Sequence, residues 1–337
     1  MSNFNIKERG EALDSSDLML KLKTFLQNNT SFSIIRDGSL QTQIVEGITE
    51  PNPDNWYVFQ NEGYFYNFKS FYNEAPFSQS NQTHDNSWGN INETRNQGIC
   101  LNISSSFSLS NEWDRQNGYY QDGAPILKTS EEIIEYDFFY NGSIVYVICQ
   151  YNNLSFSHLC FGAMNSFKGE NIPFCSGNFY HQFDSLTINQ KELVNFYNSG
   201  VEDGQNIMFK NGIAQKFSGN INTNSYITEN EVSGIPLYSM PELKRSKNVF
   251  SGKHTLVKGM FFDNRKYKKI ENNFYPTEYI EGINFVYFET FFEKEELTIG
   301  VNKYIAYPFT TKTNPFNDND VSSSGLGILI KVDNYFT

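Results

Sequence analysis

The chain is short of the residues that most often announce chemistry. It has only 4 histidines, 4 cysteines and 3 tryptophans among 337 residues. The cysteines, at positions 100, 149, 160 and 175, form no CxxC pair, so no finger-type metal signature results. No GxSxG elbow, GxGxxG loop or other hydrolase or phosphate-loop signature occurs. No stretch reaches the roughly 18 apolar residues that a membrane-spanning helix needs. The opening MSNFNIKERGEALDSSD is polar and lacks the apolar core of a secretory leader, so synthesis in a cytosol is expected. In that reducing setting the cysteines read as free, mostly buried thiols. Triplets such as Asn92–Thr94, Asn102–Ser104 and Asn141–Ser143 then reflect abundant Asn and Ser rather than glycosylation.

Aromatic residues are plentiful. Phe (31) and Tyr (21) bring the aromatic share to 16%, which favours pleated, half-buried surfaces over helices. Asn, Ser and Gly fill the spaces between aromatic runs, as in turn-rich β proteins. The fold class expected is mainly β: antiparallel, sandwich-like sheets with a short N-terminal amphipathic helix and long loops.

The helix is expected over 15–27. Ser15 or Ser16 caps it, Asp17 suits its first turn, and Leu18, Leu22, Phe25 and Leu26 share one face. Residues 32–36 and 40–48 read as strands joined at Asp37-Gly38. Two aromatic runs between Trp56 and Phe71 break at Asn61-Glu62-Gly63, and 73–98 reads as a long loop. Residues 99–109 alternate with period two, predicting one wet face. The clearest hairpin has IIEYDFF and SIVYVICQY around Tyr140-Asn141-Gly142. Its second run, apolar on both faces, reads as a central strand with 156–164 beside it. Residues 165–180 read as loop and 191–197 as a short helix or turn. Strands are expected near 206–218, 225–238, 254–262, 283–292, 297–307 and 325–332. Three regions follow: an arm and helix (1–30), a main β domain (31–235) and a C-terminal β region (236–337), with Pro236 and Pro241 near the last boundary.

Four constellations deserve weighing as chemistry. His158, Cys160, Cys175 and His181 are the right types for zinc, but their spacing matches no ligand signature, and buried thiols with a hydrogen-bonded His fit better. A nucleophile assembled from distant residues needs geometry that spacing does not supply. Glu131, Glu132, Glu135 and Asp137 cluster, which suits a glycosidase only if two of them face a cleft. The segment 244–269 mixes basic residues with Phe and Tyr, as single-strand binders do. The chain as a whole is acidic (net −12), so an acidic protein surface is the better partner for that segment and nucleic acid the poorer. No residue is assigned a catalytic, cofactor-binding or metal-binding role, and no cofactor is expected.

Charge is unevenly placed. Residues 1–150 hold 9 basic and 19 acidic residues, whereas 241–270 hold 9 basic and 2 acidic. An acidic front and a basic rear suit head-to-tail packing between copies. Lys266, Lys268 and Lys269 lie in that rear segment.

FSHLCFGAMNSFKGENIPFCSGNFYHQF (156–183) resembles a type of tailed-bacteriophage virion structural protein. Such chains carry an aromatic-His-x-x-Phe-Gly segment, then a short loop and a Gly-Gly-aromatic element. His158, Phe161 and Gly162 match the first part; Ser176-Gly177-Asn178-Phe179 has Ser where Gly is expected. Residues 18–38, Pro236-Leu237 and VNKYIAYPF (301–309) resemble other stretches of those proteins. The resemblance implies a structural subunit of a tail, neck or baseplate, assembling with virion proteins and with copies of itself, without catalysis. A virion receptor- or glycan-binding module and a glycoside hydrolase are the alternatives.

Overall fold

The computed structural model describes residues 3–72, 97–113, 115–118, 123–129, 133–151, 155–166, 171–181, 206–210, 213–217, 257–263, 275–288, 291–308 and 326–336. The chain is mainly β, with antiparallel strands and one α-helix among the described residues.

Strand β1 (Ile6–Ala12) leads into helix α1 (Ser15–Asn29). The helix covers the expected span and buries Leu18, Leu22, Phe25 and Leu26. Its cap is Asp14 rather than either serine: the Asp14 carboxylate accepts from the Asp17 backbone N–H at 2.8 Å. Ser15 is instead the first helical residue, and its hydroxyl donates to the Phe71 carbonyl. At the other end the helix runs two residues past the expected 27, through Asn28 and Asn29, and Thr30 caps it, donating from both N–H and hydroxyl to the Leu26 carbonyl.

A first sheet runs β2 (Ser33–Arg36), then past a small hairpin of β3 (Thr42–Val45) and β4 (Ile48–Pro51), to β5 (Trp56–Asn61), β6 (Tyr64–Tyr72), β7 (Gln97–Ser104) and β8 (Gly123–Thr129). Its pairing order is β2-β5-β6-β7-β8. The β5–β6 turn falls at Glu62-Gly63, as the aromatic runs imply. Strand β7 was expected to have one wet face and has none. Ile99, Leu101 and Ile103 face the helix, while Cys100 packs with Phe71, Trp113 and Ile126 on the opposite side.

The central sheet contains β9 (Ile134–Tyr140), β10 (Ile144–Tyr151), β11 (Ser155–Ser166), β12 (Asn171–His181), β13 (Asn206–Lys210) and β14 (Ile213–Phe217). β1 pairs with β9, and the order is β1-β9-β10-β11-β12-β13-β14. The hairpin at 140–142 forms as read. The Asn141 side-chain oxygen accepts from the N–H groups of Ser143 and Ile144 at 3.0 and 2.8 Å. Within 165–180, expected as loop, residues 165–166 instead end β11 and residues 171–180 make most of β12. Ser and Asn hide a strand there because its backbone is paired along its length, with β11 on one side and, over Phe174–Ser176, β13 on the other. The far half of β12 pairs with β8, which joins this sheet to the first.

The third group contains β15 (Val257–Asp263), β16 (Tyr275–Tyr287), β17 (Glu296–Ile299), β18 (Asn302–Pro308) and β19 (Leu326–Val332), paired β15-β16-β19-β18-β17. The stretch 297–307 is a hairpin folded at Gly300 rather than one strand. β16 also pairs with the end of β11, and Phe4 bridges Val332 in parallel. The pairings β1-β9-β10-β11-β16-β19 and the Phe4 bridge therefore close into a ring.

The central sheet separates two cores because strand side chains alternate. On β10, Val145, Val147 and Cys149 enter the core that contains α1, while Ile144, Tyr146 and Ile148 enter the ring core. Burying one such aliphatic side chain stabilises the fold by about 2 kcal/mol. The reading of β10 as a central strand follows from that double burial. Expectations over 73–96, 191–197, 225–238 and the 235–245 boundary lie outside the described residues.

Candidate assembly surface

The β3–β4 hairpin buries nothing. Every residue of both strands is exposed, Ile44 by 76% and Ile48 by 64%. It forms a two-stranded sheet of its own, with the register Thr42↔Pro51, Gln43↔Glu50, Ile44↔Thr49 and Val45↔Ile48. The turn is Glu46-Gly47, with φ of 51° and 82°. Positive φ at both central positions suits the twist of a two-residue hairpin. The expected hairpin at Asp37-Gly38 is not formed. The Asp37 side chain caps a 3-10 turn over Gly38–Leu40 by accepting from the Ser39 N–H at 3.0 Å.

The base of the hairpin is held firmly. Arg36 donates to both Asp54 carboxylate oxygens and to the Trp56 carbonyl. Its guanidinium lies 4.3 Å from the Trp56 ring centre, a cation–π distance. Lys23 of α1 donates to Asp37 at 3.0 Å and to the Ser39 hydroxyl at 3.2 Å. Burial works against the Asp37 carboxylate, but hydrogen bonds from Ser39 and Lys23 outweigh it and lower its pKa. Burial, reinforced by Asp37 and Asp54, pushes the Tyr57 hydroxyl up to about 12. The Asp54 N–H donates to the Gly38 carbonyl at 3.1 Å, and a Cβ at Gly38 would meet the Trp56 backbone at 2.7 Å. A tightly fastened base thus carries two strands that contribute no burial of their own.

A polar cluster lies on the ring side of the central sheet. Arg9, Asp137, Ile148 and His158 stand in register across β1, β9, β10 and β11. Asp137, only 2% exposed, accepts from Arg9 Nε at 2.6 Å, from Arg9 Nη2 at 3.1 Å and from the Tyr307 hydroxyl at 2.7 Å. Burial disfavours the Arg9 charge, but the bonds and attraction of Asp137 raise its pKa overall. Phe336 covers the Arg9 guanidinium at 4.1 Å. His158 is fully buried, and burial lowers its pKa to about 4 against the single opposing hydrogen bond to Pro308. The Pro308 carbonyl, 2.8 Å from Nε2, requires a proton on that nitrogen. Nδ1 of the neutral ring then accepts from the Tyr146 hydroxyl at 3.2 Å.

The zinc-type residues are separated by the sheet. His158 and Cys160 share a face of β11, but Cys160 enters the ring core and Cys175 the helix core. His181 ends β12 opposite Gly123. All four cysteines are buried and outside any disulfide, as read, and burial raises the pKa of Cys149, Cys160 and Cys175. Of the clustered carboxylates, Asp137 is bound to Arg9 and Tyr307, and Glu135 pairs with Lys294. Trp113 is buried and Trp56 stacks beneath Arg36. In the basic segment 244–269 only the backbone of β15 is described; Lys266, Lys268 and Lys269, like Pro236-Leu237, fall outside the described residues.

No protein-family model matches the chain, and no curated protein matches it.

Sequence reading missed the projecting hairpin. Ile44 and Ile48 look like ordinary strand residues, and only Glu46-Gly47 between the short β-branched pairs Ile44-Val45 and Ile48-Thr49 hints at it. Arg9 and Tyr307 carry no local signal, because their partner Asp137 is 128 and 170 positions away.

Proposed function

We propose that this chain is a structural subunit of a tailed-bacteriophage particle, in the tail, neck or baseplate, acting by protein–protein assembly without catalysis. The observation that carries the reading is the projecting hairpin. An isolated two-stranded hairpin is marginal in water. Here one is fastened by Arg36, Asp54, Trp56, Lys23 and Asp37, yet it stabilises nothing inside its own chain. Such an element serves a neighbour. The resemblance of 156–183 to virion proteins supports the same reading. His158, Phe161 and Gly162 all sit on β11, which like β10 serves both cores.

The test is particle purification from an infected culture expressing a tagged copy. The chain is expected to sediment with intact particles, and particles formed without it are expected to lack tails or a baseplate. A chain found only in the free protein fraction overturns the reading. Charge reversal at Lys266, Lys268 and Lys269 sharpens it: weaker incorporation is expected if the basic segment meets an acidic neighbour, and unchanged incorporation removes that contact.

A further inference from the structure

We infer that the outer edge of β3 pairs antiparallel with the same strand of a second copy of this chain. This rests on the subunit reading and names one neighbour of the projecting hairpin. The bonding pattern of the hairpin decides which edge is open. Val45 and Ile48 flank a two-residue turn, so they exchange both backbone hydrogen bonds. Bonded pairs then alternate, through Gln43–Glu50 to Gln41–Asn52, where the Asn52 N–H donates to the Gln41 carbonyl at 2.7 Å. The N–H and C=O groups of Thr42 and Ile44 on β3, and of Thr49 and Pro51 on β4, therefore point outward.

The two edges are not equivalent. Pro51 has no N–H, so the β4 edge lacks a donor at that position. Pairing β4 with itself would also set Glu50 against Glu50 of the partner subunit. Like charges directly opposite are unfavourable. The β3 edge has neither fault. In self-pairing about a twofold axis, Thr42 faces Ile44 of the partner subunit, and each such pair exchanges both N–H···O bonds. Gln43 then lies on the axis against Gln43 of the partner subunit, where two neutral amides can bond. The strand Thr42–Val45 carries no charge in a chain of net −12, so contact there avoids the repulsion other surfaces would bring. The edge is exposed along its whole length.

The test uses the full chain in sedimentation velocity over a concentration series. A reversible dimer is expected. Ile44→Pro removes only an outward donor, since Ile44 makes no bond within the hairpin, and should weaken dimerisation by roughly thirtyfold. Gln43→Glu and Gln43→Lys should each weaken it by roughly fivefold. A mixture of the two should recover wild-type affinity, which a misfolded variant would not do. A wild-type chain that stays monomeric at every concentration overturns the inference, as does a dimer indifferent to all three changes. Particle incorporation separates this from the broader reading. Incorporation unaffected by Ile44→Pro and by Gln43→Glu sinks the pairing and leaves the subunit role. Dimers that never enter particles sink the subunit role and leave the pairing.

Discussion

The two faces of the central sheet are built from the same strands but follow different rules. The helix core is apolar: Phe32, Tyr66, Phe68 and Phe161 meet edge-on or tilted with centroids 5.1 to 5.9 Å apart, and α1 closes over them. The ring core mixes Ile144, Ile148, Ile305 and Ile330 with Asp137, His158, Tyr146 and Tyr307. The first core tolerates imprecise partners, because burial is non-directional. The second requires each polar atom to meet its partner, because an unpaired buried group costs more than its bond returns. The contrast teaches that one strand can serve both requirements. β10 and β11 do so by alternation.

The comparison is broken most severely at Phe161. Phe161→Ala removes a ring shared with Phe32, Tyr66 and Phe68, and should lower the unfolding free energy by about 4 kcal/mol in denaturant titration. A loss under about 1 kcal/mol would show that the helix core refills the space. Asp137→Leu tests the ring core. It leaves the Arg9 charge and the Tyr307 hydroxyl without their acceptor and should cost about 3 kcal/mol. Arg9→Leu combined with Asp137→Leu should recover much of that loss; no recovery would mean that packing, not pairing, holds the site. The smallest effect is pH-dependent. His158 is held neutral with a pKa near 4, below its unfolded value. Its contribution is therefore complete above the unfolded pKa and is lost as pH falls toward the folded one, by about 2 kcal/mol between pH 7 and pH 5. His158→Gln should flatten that slope, and an unchanged slope would assign the acid sensitivity to other groups.

Local features were readable in the amino-acid sequence. The face of α1, the Asn141-Gly142 turn and the double burial of β10 each come from residues within a few positions of one another. The hairpin at 42–51 was misplaced because Asp37-Gly38 carries the stronger turn composition. Glu46 adopts positive φ with no side-chain signal to announce it. Strand β7 was assigned a wet face because Asn102 and Ser104 look solvated. Both are buried, and Ser104 accepts from the Asn67 side chain at 3.0 Å. Of the candidate chemistry, Asp137 stood out as part of an acidic cluster, but its cation and its tyrosine come from strands far away in the chain. The ring itself left no trace, since its closure depends on residues at the two extremes of the sequence.

That closure has a kinetic consequence. The side chain of Asn3 bonds Asp333 across a separation of 330 positions, and Phe4 joins Val332 beside it. On a ribosome, α1, the first sheet and the β9–β10 hairpin can assemble early, while β16, β18 and β19 have yet to emerge. Until they do, Asp137 and His158 face water, and the ring side of the central sheet stays uncovered. Contacts of such long range are slow to form, and intermediates that expose apolar surface are prone to aggregate. The nascent chain is therefore most vulnerable in the interval between the emergence of β11 and that of β16, β18 and β19.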